Sequence, residues 1–447
     1  MNMDEMKMMA ERTVHTALSA GAKTAEVAVV ESTEFEVSVR KERIETLMES
    51  VSSSIGITVS FDKRKASVTS SDLSEASVNQ IVTEAVELAR VMDRDEYLDL
   101  PEPQELGSYE GDLRMFDPET VQLPAEEKIK IAFALEKSAL SMDKRIISDG
   151  GSLTNGMRKI AFANSTGFCN GYSRTFNALS ISCAAEEEAR RGENVGKKQS
   201  SYWYSAASSF KDLESIEAVA SKAVSRTLRK LGAAKPRTCE VPVIFDPETA
   251  RSFLSSIAAA VNGGNIYMKA SFLVDKTGER IGSPLVTIVD DPLLLGKLGT
   301  RPFDSEGVRS RKNIVVERGV LNSYLLSSYQ ARKLGLQTTG NAGGSSNFYM
   351  EPGELKPEEI IASVREGLYL ISLFGPGANH ATGDFSQGAQ GIWIEKGELS
   401  YPVDEFTITS TFQEMLKGIV SIGNDIDWNS PIAAPTFKLE KMTISGT

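Results

Sequence analysis

The amino-acid sequence predicts an α+β fold in three parts with mixed or antiparallel sheets: two helix–strands–helix units, then a larger, β-rich C-terminal domain. Three observations carry this. At 447 residues the chain exceeds what one hydrophobic core serves, roughly 250–300 residues. Strand-like runs follow one another directly instead of alternating with helices, the habit of α+β chains. The order helix, strands, helix occurs twice before a break at Lys235-Pro236-Arg237-Thr238. The expected parts are an N-terminal α+β domain (1–97), a linker (98–124), a middle α+β domain (125–234) and the C-terminal domain (235–447).

Taken in order, Met6, Met9, Ala10, Ala17 and Leu18 lie at helical spacing over residues 3–20, and Gly21 ends the run. Glu34-Phe35-Glu36-Val37-Ser38-Val39-Arg40 alternates polar and apolar residues as a half-exposed strand does, and SIGITVSF and KASVTS continue as strands. Ser74 caps a helix with Val78, Ile81, Val82, Ala85, Leu88, Ala89 and Met92 on one face. The Pro-, Glu- and Gly-rich stretch from Leu98 to Pro124 reads as the linker. A helix over Ala125–Met142, the strand-like RKIAFANS and TFNALSISCAA, and a closing helix ending at Gly232 repeat the order. Arg226, Arg229, Lys230, Lys235 and Arg237 gather near the end of that helix, where cations suit the negative dipole terminus, and read as a solvated helix end.

The third part opens with the strand EVPVIF. Asp246 stands at an N-cap, Pro247 at the first helical position, and Ala250, Phe253, Leu254, Ile257 and Val261 form an apolar stripe that Asn262-Gly263-Gly264 ends. Two hairpins echo each other, IVVE-RG-VLNSYLL and IWIE-KG-ELSYPV, each with a two-residue turn ending in glycine. Between them a helix is expected from Pro357 with Ile360, Ile361, Val364, Leu368 and Ile371 on its face. From Phe374 the run FGPGANHATGDFSQG is too glycine-rich for helix or strand. Polar side chains between glycines suit the close approach of a ligand or another chain.

Several classes are disfavoured. A net charge of −12 without a Lys/Arg stripe argues against nucleic acid. No apolar run reaches membrane-spanning length, and the charged start MNMDEMKMMAERTVH leads to the expectation of no signal peptide. Cys169, Cys183 and Cys239 are an odd set without paired spacing, so a reduced, cytoplasmic protein is expected.

Candidate chemistry is sparse. His15 and His380 are the two histidines and lie far apart in sequence. Asp290-Asp291 precedes proline, a turn signal that outweighs a carboxylate site for a divalent cation. Ser386, His380 and Asp384 fall close together, but GDFSQG is not a nucleophile elbow. The run Gly340–Asn347 lacks the lysine and following helix of a phosphate loop. Its glycines expose backbone groups that could pair with an extended peptide. The cleft candidates are therefore Asn341, Gly343 and Gly344, with Gly383, Asp384 and Ser386 from the later run.

Long, unusual runs carry a family resemblance: VPVIF, PFDSEGVRSRKNIVVERGVLNSYLLSSYQARKLGLQTTGNAGG, TGDFSQGAQGIWIEKGELSYPVDEFTI and GIVSIGNDI. With looser matches over 25–92 and 115–230, the chain resembles the TldD/PmbA family, in its PmbA (TldE) branch. That family contains zinc metallopeptidases and metal-free partner subunits. Its peptidases carry HExxxH on a helix, whose histidines bind zinc and whose glutamate serves as general base, with a cysteine ligand near the C-terminus. The matching helix here is the one starting at Pro247, and Ser255-Ser256-Ile257-Ala258-Ala259-Ala260 stands in place of the motif. Asp425–Thr436 contains no cysteine.

The resemblance thus implies a subunit with no catalytic or metal-binding residues and no cofactor of its own. Zinc is expected in a TldD-type HExxxH partner. This chain would help form the cleft for peptides or unfolded proteins in a cytoplasmic complex, with a homodimer left open. Two other readings stand beside it: an independent hydrolase with an unrecognised nucleophile, and a non-proteolytic regulator of the gyrase-modulator type. Trp203, between Tyr202 and Tyr204, and Trp393 in the IWIE strand are of the kind enriched at subunit interfaces.

Overall fold

The structure, a computed structural model, describes residues 1–187 and 196–446. Helix α1 (Met3–Ser19) starts at a capping box built by Asn2 and Glu5. It leads into β1 (Thr24–Arg40), β2 (Arg43–Phe61) and β3 (Arg64–Ser70), and α2 (Glu75–Val91) follows behind its Ser74 cap. After the short α3 (Pro118–Gln122), the order returns as α4 (Ala125–Met142), β4 (Ile146–Asn164), β5 (Cys169–Glu186), β6 (Lys198–Ala207) and α5 (Ile216–Leu228).

The strands of the two units belong to one six-stranded sheet, β3-β2-β1-β4-β5-β6, antiparallel throughout. The seam is β1 against β4, paired from Glu26↔Asn164 to Val39↔Gly151. All four long helices cover one face, in two separate cores. Ala25, Val27 and Val29 of β1 lie with α1 and α2, and Phe35, Val37 and Val39 of the same strand lie with α4 and α5. The period-two alternation of β1 therefore serves both cores without a break in phase. Glu136 of α4, fully buried, accepts from the backbone of Lys41 and Glu42 at 2.7 and 2.9 Å, so the second unit clamps the β1–β2 turn of the first.

Residues 98–124 do not hang free. Gly107 and Tyr109 donate to the carbonyls of Gly307 and Pro302, and Arg309 donates back to Glu105. Thr175 of β5 donates to Met115. The stretch read as a linker is a strap lying along the C-terminal part, which supplies the backbone partners that a surface segment otherwise finds in water.

The C-terminal part runs β7 (Cys239–Phe245), α6 (Pro247–Ala260), α7 (Gly263–Tyr267), β8 (Ile288–Asp290), β9 (Asn313–Glu317), β10 (Val320–Leu321), α8 (Ser328–Leu334), β11 (Phe348–Met350) and α9 (Pro357–Ala362). It continues through β12 (Glu366–Phe374), β13 (Asp384–Glu395), β14 (Glu398–Thr411), α10 (Phe412–Gly418), β15 (Ile419–Ile422), β16 (Ile432–Ala433) and β17 (Phe437–Ser445). One sheet, β14-β13-β12-β7-β17, closes into a barrel because β14 also pairs with β17. A second sheet has the order β10-β9-β8-β11-β16. Phe245, Phe253 and Phe437 stack in the shared core, the first and last at 4.7 Å between ring centroids. Among the described residues, no helix is long and apolar enough to cross a membrane.

Three local expectations change. The helix from Pro357 stops at Ala362, and residues 366–374 are β12. Gly367 permits this: a Cβ there would stand 2.6 Å from the Pro242 carbonyl, so only glycine lets the segment lie beside β7. The glycine-rich run enters β13 at Asp384, and Gly388 and Gly391 sit inside that strand. A Cβ at Gly388 would meet the Phe374 ring at 2.3 Å, which is close packing rather than loop chemistry. The basic cluster is a solvated helix end only in part, since Arg229, Lys235 and Arg237 are exposed but Arg226 and Lys230 are not. Arg226 reaches across to α6, and Lys230 is buried with its Nζ on the Ser200 carbonyl at 3.0 Å.

Candidate functional site

The loop Gly340–Asn347 is held from several sides. Asn341 is buried, and its Nδ2 donates to Asp290 at 2.7 Å while its Oδ1 accepts from Thr339 and Asn313. It shapes the loop and does not line a cleft. Asp290, fully buried, also accepts from the Ser346 backbone at 2.6 Å, and burial pushes its carboxyl above the ordinary range. Its oxygens, like the Asp291 oxygen that accepts from Leu293, are engaged by the fold. Asp304 accepts from the backbone of Glu306, Val308 and Ala342, and Arg301 donates to the Gly344 carbonyl at 2.7 Å.

Gly343 and Gly344 both take left-handed backbone, φ +88° and +98°. A Cβ at Gly343 would meet the Ser305 hydroxyl at 2.4 Å, whereas nothing lies within 4 Å of one at Gly344. Of the two, Gly344 is the glycine that faces open space.

Burial, and then the nearby Glu306 charge, push the Asp304 carboxyl up to about 6. A folded pKa above the unfolded value means that the native state binds the extra proton between about pH 4 and 6. Stability is therefore expected to fall as pH rises through that window. In Asp304→Asn this contribution is gone, so the denaturation midpoint at pH 6.5 minus that at pH 4.5 should be more positive than in the wild type. An unchanged gap would refute the assignment.

Gly383, Asp384 and Ser386 form a separate group. Gly383 has φ +90°, and a Cβ there would meet the Gln413 amide. The Asp384 carboxylate accepts from Thr382 at 2.6 Å, and the Ser386 hydroxyl pairs with Thr409 at 3.3 Å. The hydrogen bonds of Ser386 and Asp384 thus run to threonines and not to His380. A hydrolytic triad is not assembled, and among the described residues no hydrogen bond joins this group to the Asn341–Gly344 loop.

Helix α6 carries no ligand set. The hydroxyls of Ser255 and Ser256 bond back to the Arg251 and Ser252 carbonyls one turn earlier, while Ile257, Ala258 and Ala260 enter the core. Among the described residues no three His, Cys, Asp or Glu converge on a point. The α6 side chains do not fit a zinc ion.

The start of α6 is, in contrast, densely charged. Asp246 caps the helix through Thr249, and Arg226 of α5 bonds Asp246 at 2.9 Å, Glu248 at 2.6 Å and the Ile371 carbonyl at 2.9 Å. Tyr202 adds its hydroxyl to Glu248 at 2.5 Å. A cleft of about 560 Å³ opens here, lined by Lys197, Tyr202, Lys230 and Arg251 among others. Trp203 is half-buried, with its indole N–H on Glu214 and the Lys222 and Arg226 cations over its ring, and Trp393 is buried in the barrel. Of that set only Tyr202 is markedly exposed. Sequence reading missed the Arg226 pairing because its partners lie in another part of the chain.

Family models for the PmbA/TldA metallopeptidase domain 1, central domain and C-terminal domain match residues 25–89, 118–231 and 238–446. The chain belongs to the PmbA/TldD family. It is 36% identical to the metalloprotease PmbA of Escherichia coli O157:H7 over 99% of this chain and 97% of that one. A Bacteroides thetaiotaomicron structure described as a candidate modulator of DNA gyrase superposes with a TM-score of 0.92, at 31% identity and over all of both chains. The TldE structure from Thermococcus kodakarensis, at 23% identity over 98% of this chain and all of that one, shares the fold with a TM-score of 0.85. The resemblance to the PmbA branch read from the C-terminal runs is thereby established.

Proposed function

We propose that this chain is the PmbA/TldE-type subunit of a cytoplasmic two-subunit zinc peptidase, and that it does not itself hold the metal. The observation that carries this is α6: where the family's peptidases have HExxxH, this helix has serines bonded to their own backbone and alanines buried in the core. The zinc, and the glutamate that activates water, belong to a TldD-type partner. This chain contributes walls to the cleft and holds a peptide or unfolded segment extended along exposed backbone.

The test is reconstitution. Alone, the chain should contain far less than one zinc and cleave no unstructured peptide. Mixed with a TldD-type subunit from the same cell, it should give chelator-sensitive cleavage that vanishes when the partner's motif glutamate is replaced. One tightly bound zinc per chain, or cleavage by this chain alone, sinks the proposal.

The loop offers a finer check. Gly344→Val should weaken peptide binding by the complex about tenfold, because a β-branched side chain fills the open side of the loop. Gly344→Ala carries less positive-φ strain and less bulk. With each variant measured below its own melting range, peptide affinity should fall further for Val than for Ala. Equal affinities would remove the loop from the cleft.

A further inference from the structure

On the sheet face away from the helices, Arg158 of β4 stands directly opposite Arg174 of β5. Like charges in that position disfavour a strand pair. A third guanidinium, Arg301, comes over from the C-terminal part. The charges that bear on Arg174 are Tyr172, Arg158 and Arg301, none of them a carboxylate, and burial together with the two cations makes its own charge harder to hold. Arg174 donates to the Leu298 carbonyl and Arg301 to the Gly344 carbonyl. The Arg301 Nε is buried with no partner, and Arg158 is exposed. The nearby Asp304 makes no salt bridge to them; its oxygens accept from three backbone N–H groups.

A chain with a net charge of −12 has carboxylates to spare, yet among the described residues none forms a salt bridge with these three cations; the buried Asp290, which feels the Arg301 charge, turns its oxygens to Asn341 and Ser346. Of the three, Arg301 links the cluster to the open backbone of Gly344. We infer that Arg158, Arg174 and Arg301 form a carboxylate-binding site which anchors an acidic group of the peptide lying along the Gly343–Gly344 loop. Planar guanidiniums match a carboxylate through paired hydrogen bonds, and an anion between them relieves the cross-strand repulsion. The inference rests on the peptide-holding role proposed above and adds a substrate preference: peptides with a free C-terminal carboxylate or a Glu or Asp side chain.

The test uses the full chain assembled with a TldD-type partner whose motif glutamate is replaced, and three labelled peptides of one length: a carboxylate-free amide, the same peptide with a free C-terminus, and an amide carrying one Glu. At least one carboxylate peptide should bind about tenfold more tightly than the carboxylate-free one. Arg158→Gln, an exposed change that leaves packing intact, should abolish the advantage, as should Arg174→Gln if it folds by thermal melting. Inorganic phosphate should compete with the carboxylate peptide and leave the neutral one bound. Equal binding of all three peptides overturns the site while leaving the cleft proposal standing. Phosphate binding that depends on Arg158 without any peptide preference identifies a free-anion site and overturns the peptide assignment. If no peptide binds, the site and the peptide-holding role fall together.

Discussion

Arg226→Ala is expected to destabilise the folded chain by about 3 kcal/mol, because it strands a buried carboxylate. The side chains of Arg226 and Asp246 are only 18% and 2% exposed, so water cannot replace the lost guanidinium. Arg226 sits on α5, whereas Asp246 and Glu248 start α6, and the Ile371 carbonyl belongs to β12. One side chain thus ties the middle helices to the barrel. Adding Asp246→Asn to the variant should recover much of the loss, since asparagine still caps a helix and carries no charge to strand. Urea denaturation of the single and double variants measures both effects. A loss below 1 kcal/mol for Arg226→Ala, or no recovery in the pair, would refute the account.

Gly156→Ala should cost a comparable amount, about 3 kcal/mol, from steric conflict in the centre of the long sheet. A Cβ at Gly156 would lie 2.1 Å from the Thr33 carbonyl oxygen and 2.7 Å from the Phe176 ring. The first neighbour is backbone of β1, so it cannot swing aside as a side-chain end does. Gly156 pairs with Glu34 on one side and Phe176 on the other, at the seam between the two units. Native-state hydrogen exchange should show faster opening of β1 and β4 amides near this point, with the barrel unaffected. Unchanged exchange along the seam would show that the sheet absorbs the extra methyl.

These two sites also mark the limit of what the residues disclose in linear order. Local signals were legible: the Ser74 and Asp246 caps, the apolar stripes of α1, α2 and α6, and the Lys396-Gly397 turn all act within one or two turns of chain. The β1–β4 seam was not, because an alternating strand specifies which face is buried and leaves its neighbour open. Arg158 opposite Arg174 is a fact of register. Asn341 was named as a cleft residue because it stands among glycines, yet its buried Asp290 partner is 51 residues away. Leu368 and Ile371 fit a helical stripe as well as a strand, and the deciding contact, Gly367 on Pro242, is again long-range.

The seam has a consequence for synthesis on the ribosome. β1 ends at Arg40 and its second neighbour β4 begins at Ile146, so about a hundred residues must be translated between them. At roughly 5–20 residues per second, one long edge of the nascent sheet stays open for on the order of 5–20 seconds. For most of that interval Val37 and Val39 also lack the helices that later cover them, since α4 is made only at its end and α5 after β4. An unpaired edge next to uncovered valines is a template for association with other chains. Expression yield should therefore depend on holdase chaperones that shield this edge until β4 arrives, and slower translation through residues 41–145 should increase that dependence.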